Sequence, residues 1–147
     1  MPFLPPWRRC PAWRRRLSQG RFQRELSAAT AASAVVTSVE IFIEHYRASF
    51  GDPWMWTPIA LTPPVIAAGV AGIFSERAAR TVLPATGAAY LVNGLTGVYL
   101  HVRGIGRRPG GWRHANYNVV MGPPLMAPGL MAMVGAMGLL AAVLRRR

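Results

Sequence analysis

Charge in this chain is confined to short blocks, and between the blocks run long stretches with almost none. Residues 53–75, 81–102 and 114–144 contain no Asp, Glu, Lys or Arg. A run of about 20 apolar residues is what a transmembrane helix needs, so the spacing predicts a polytopic membrane protein. Composition agrees: 52% of residues are hydrophobic and 15% are charged, against about 25% charged in a typical soluble domain. The 147 residues allow one domain.

Every basic residue is Arg, and most lie in blocks flanking the apolar runs. The net charge of +12 therefore reads as membrane anchoring, with anionic lipid headgroups as the counter-charge. It does not read as a nucleic-acid surface. The single Cys10 excludes an intramolecular disulfide and any Cys-based metal centre.

Residues 1–24 form a basic, Trp-rich leader whose prolines at 2, 5, 6 and 11 keep its first half non-helical. From Ala12 onward an amphipathic segment fits the headgroup layer, with Trp13, Leu17 and Phe22 toward lipid. The hydrophobic run that follows continues into Val-Glu-Ile-Phe-Ile-Glu-His without a cleavage site, which predicts an uncleaved first span. Residues 25–147 then read as a four-span domain, with helices at about 27–48, 56–75, 81–101 and 117–144 by apolar run length. Pro58, Pro63 and Pro64 predict a kink in the second span. The expectation is an all-α, integral membrane four-helix bundle preceded by a basic interfacial segment.

Four spans place both termini on one side. That side would hold 12 arginines and the other 5: Arg47, Arg103, Arg107, Arg108 and Arg113. The positive-inside rule then predicts cytoplasmic termini and a multi-pass protein of the bacterial inner membrane. The four arginines of the third loop run against the rule.

Small residues mark the helix–helix seams. In span 4, Asn118, Gly122, Leu125, Gly129, Ala132 and Ala136 share one face of about 80°, and in span 3 Tyr90, Asn93, Gly94, Gly97 and His101 share one of about 100°. The methionines at 126, 131, 133 and 137 read as packing filler.

The stretch Ala28–Tyr46 carries the unusual chemistry. Thr30, Ser33, Thr37, Glu40, Glu44 and Arg47 fall within about 100° of one another on a helix. Ionisable groups inside a membrane segment point to function or to paired charges. With this topology all three histidines gather at one surface, beside Glu40, Glu44 and Asp52. Three readings follow. The first is a structural polar network of Glu40, Glu44, Arg47, Asn93, Arg103 and Asn118. The second is a redox or metal component. Here His45 and His101 are the only axial pair for a b-type haem, and the two histidines with Glu40 and Glu44 form the hard-ligand set for a divalent metal. Against convergence, His45 lies about 100° from Glu44 and about 140° from Glu40 round the helix. The third is a small ion or proton carrier using Glu40, although no internal repeat of the transporter kind is present.

The Gly/Arg loop lacks the strand-to-helix context of a phosphate loop. Arg103, Arg107, Arg108 and Trp112 suit lipid phosphates or a partner protein better. No nucleophile–base set is evident, so the residues point away from an enzyme. The reading that gathers most of this is a non-catalytic accessory or structural subunit of a membrane complex, with a membrane-protein partner or a second copy beside it.

Overall fold

The computed structural model describes residues 20–143, so most of the leader and the last four residues lie outside the description. Among the described residues the chain is helical and contains no strand. Helix α1 is Arg21–Arg47, α2 is Trp56–Phe74, α3 is the short Glu76–Arg80, α4 is Val82–Gly106, α5 is Ala115–Val120 and α6 is Met126–Val143. The four long helices close a ring in which α1 packs on α2, α2 on α4, α4 on α6 and α6 back on α1, with the α4–α6 seam the most extensive.

Three segments are long and apolar enough to cross a membrane: α1, the stretch Pro53–Phe74 containing α2, and α6. Helices of this length and apolarity are compatible with a small membrane protein. Helix α4 has 25 residues and is central to the ring, but glycines, threonines and Asn93 dilute its hydropathy.

Helix α1 buries Gln23, Ser27, Thr30, Ala34, Thr37 and Ile41, an alternating four–three spacing that keeps one seam facing its neighbours. Three of those side chains are small hydroxyls. Ser27 and Thr30 return their hydrogen bonds to the carbonyls of Gln23 and Leu26, each at 2.8 Å, which removes the cost of burying them. Gln23 instead reaches across the ring, donating from Nε2 to the Ala141 carbonyl at 2.7 Å.

Close approach of α4 and α6 depends on glycine. A Cβ on Gly94 would stand 2.5 Å from the Ala132 backbone nitrogen, and one on Gly87 would stand 2.9 Å from the Gly135 carbonyl. Gly94 and Gly97 hold the positions the spacing assigns them, the latter against Pro128. Gly129 does not: nothing lies within 4 Å of the place its Cβ would occupy. The face of α6 that packs is Pro128, Met131, Ala132, Gly135 and Gly138.

The fourth expected span, 117–144, is not continuous. Helix α5 ends at Val120 and α6 starts at Met126. Pro123 and Pro124 between them lack the N–H groups a helix needs and crowd the preceding turn. The similar pair in α2, Pro63 and Pro64, lies inside an unbroken helix.

Candidate functional site

The end of the bundle away from the termini is built by the α1–α2 hairpin, the end of α4 and the break before α6. Ser49 and Phe50 close α1 in left-handed conformations, φ 57° and 46°. Asp52 then accepts a hydrogen bond from the Trp54 amide at 2.9 Å and starts one 3-10 turn with Pro53 in its first position. Phe50 stacks on Trp56 with centroids 4.2 Å apart and meets the edge of His45 at 6.1 Å. The hairpin thereby holds His45 against the mouth of the bundle.

A cavity of about 460 Å³ opens at this end. Glu44, His45, Asp52, Asn93, His101, Arg103 and Arg107 supply its polar lining, while Ile41, Leu100, Pro128 and Met131 supply apolar wall. His101 is anchored by Nδ1 on the Pro124 carbonyl at 2.5 Å. A carbonyl only accepts, so Nδ1 carries the proton and, in the neutral ring, Nε2 is the lone-pair nitrogen. His45 has His101, the Met55 backbone and Glu44 as its electrostatic neighbours, and its Nδ1 is buried without a hydrogen-bond partner. Asn93 donates to the Thr57 hydroxyl at 2.8 Å, tying α4 to α2 beside the cavity.

Comparison of this chain with protein-family models, with curated proteins and with solved structures finds no match. The site is therefore argued on its own geometry.

The six residues expected to form one polar network fall in separate places. Glu40 is exposed, because it stands about 60° round the helix from Thr37 and about 100° from Ile41, outside the buried seam. Glu44 pairs with Arg47 at 3.1 Å within its own helix, on a side chain of Arg47 that is 71% exposed. Arg103 has no carboxylate partner among the described residues. Asn118 is buried elsewhere, donating to the carbonyls of Pro109 at 3.2 Å and Gly111 at 2.8 Å, and so pins the loop. Only Glu44, Asn93 and Arg103 of the six line the cavity.

The hard-ligand set of Glu40, Glu44, His45 and His101 does not come together: among the described residues no three His, Cys, Asp or Glu side chains converge at metal-binding distance. His45 and His101 do share the cavity. Arg108 leaves its Nε buried without a hydrogen-bond partner, and Trp112 lies over Gly106, beside the loop and outside the cavity. Thr57 and the Pro124 carbonyl were not evident from the sequence. Thr57 carries no signal of its own, whereas Pro-Pro followed by a helix start marks a carbonyl freed from helical bonding.

Proposed function

We propose that this chain is a non-catalytic subunit of a bacterial inner-membrane complex, with four spans, cytoplasmic termini and a partner seated on the Glu40 face of α1. Glu40 carries the reading. It is exposed on a strip with Val36, 71% exposed, and Ile43, 48% exposed, and it has no ion-pair partner among the described residues. It lies seven residues before Arg47, about 10 Å along the axis, inside the apolar length of the helix. A carboxylate left facing hydrocarbon costs about 2.5–3.5 kcal/mol at mid-membrane.

Among the described residues the long helices carry cations only near their ends, Arg103 of α4 included. Helix α1 has none between Arg24 and Arg47, and α2 and α6 have none at all. A second copy in parallel register would set Glu40 against another apolar or acidic surface, so the complementary partner is a different helix bearing Arg or Lys. Native mass spectrometry of the protein extracted into lipid nanodiscs tests this. A stoichiometric hetero-complex should dissociate in Glu40→Gln and survive a change on the exposed face of α4, Val92→Ala. A monomer or homodimer unaffected by Glu40→Gln refutes it.

The meeting of His45 and His101 at one cavity favours a second reading, a b-type haem held between them. A Soret band in the purified protein, lost in both His45→Ala and His101→Ala, supports it, and a colourless protein refutes it. Glu40 lies outside the lining of this cavity, so ion or proton carriage through Glu40 would not use it.

A further inference from the structure

We infer that the cavity at the end of the bundle binds an acidic amphiphile, with a phosphate or carboxylate head at Arg103 and Arg107 and an apolar chain along Ile41, Leu100 and Met131. The charges leave few alternatives. Arg103 and Arg107 are one helical turn apart and both line the cavity, yet neither has a carboxylate partner among the described residues. The two acids beside them are already engaged. Glu44 holds Arg47 at 3.1 Å, and Asp52 accepts from the Trp54 amide at 2.9 Å. Both side chains are exposed at the mouth of the cavity, where each planar guanidinium can meet an oxyanion bidentately.

The rest of the lining suits the other half of an amphiphile. Ile41 and Met131 are nearly fully buried, and together with Leu100 and Pro128 they extend the cavity along the bundle. Trp54 and Trp56 are exposed at the same end, the position aromatic side chains take at headgroup level. The head would therefore sit at the membrane surface and the chain would run inward. Pro123 and Pro124 line the cavity themselves, so the break between α5 and α6 forms part of its wall.

The test uses the full chain purified in a neutral maltoside and titrated with lysophosphatidylglycerol, with lysophosphatidylcholine of the same chain length, with laurate and with inorganic phosphate alone. Binding is read by native mass spectrometry. The expected result is at least ten-fold tighter binding of the acidic lysolipid than of the zwitterionic one. Added salt should weaken the acidic lysolipid selectively, a readout that needs no variant. In the double variant Arg103→Gln, Arg107→Gln the preference should disappear, and Arg103→Lys, Arg107→Lys should restore part of it, while Arg113→Gln leaves it intact. The ranking of laurate against lysophosphatidylglycerol names a fatty acid or a phospholipid as the source, and either supports the site. Equal binding of the two lysolipids overturns the proposal. So do an unchanged preference in the double Gln variant, saturation by inorganic phosphate at the same concentration as the lysolipid, and a chromophore that fills the cavity.

Discussion

Gly94→Ala separates packing from composition in the α4–α6 seam. The new methyl would lie 2.5 Å from the Ala132 nitrogen, 2.8 Å from the Pro128 carbonyl oxygen and 2.9 Å from the Ala132 Cα. All three atoms are backbone, so no rotamer can yield, and the helices must part by about 1 Å to restore van der Waals contact. Overpacking of this kind costs about 1–3 kcal/mol. Alanine recovers about 0.5–1 kcal/mol as the better helix former, which leaves a net loss of up to about 2.5 kcal/mol. Gly129→Ala is the matched control: it sits in the same seam by sequence spacing but has open space around it, so only the propensity gain of about 0.5–1 kcal/mol applies. Equilibrium unfolding in mixed detergent micelles measures both. If Gly94→Ala is no less stable than Gly129→Ala, the seam is not where the backbone contacts place it.

Substitutions at three further side chains test individual contacts. His101→Leu leaves the Pro124 carbonyl without its donor and should cost about 1–3 kcal/mol in the same unfolding assay. Tyr90→Phe removes only the 3.1 Å bond to the Thr62 hydroxyl, which keeps its Pro58 carbonyl, so about 0.5–1.5 kcal/mol is expected, whereas Tyr90→Ala opens a cavity and should cost about 3–5 kcal/mol by analogy with other large aromatic deletions. Arg47→Gln breaks an exposed ion pair and should change unfolding by no more than about 1 kcal/mol.

The long apolar helices were legible because charge and apolarity separate so sharply along the chain, and three of their segments are long and apolar enough to cross a membrane. The second span, read at about 56–75, is α2 at Trp56–Phe74. The buried seam of α1 was harder to place. Its polar residues share a broad arc, but a bundle seam is narrow, and Thr30 and Thr37 fall inside it while Glu40 falls outside. Charge pairing across helices was not legible, since Arg47 is close enough in sequence to take Glu44 first. The fate of a Pro-Pro pair also escapes local rules. Gly122 weakens the helix before the second pair, and His101 supplies a donor for a freed carbonyl there. Neither condition applies to Pro63–Pro64.

The bond from Gln23 to the Ala141 carbonyl joins residues 118 positions apart. It closes the ring between α1 and α6, the two long described helices farthest apart in sequence. Ser27 packs on Gly69 and Gly72 of α2, so the contact that waits for α6 is the one from Gln23 to Ala141. The cavity lined by His101 and Met131 likewise exists only once α6 has packed against α4.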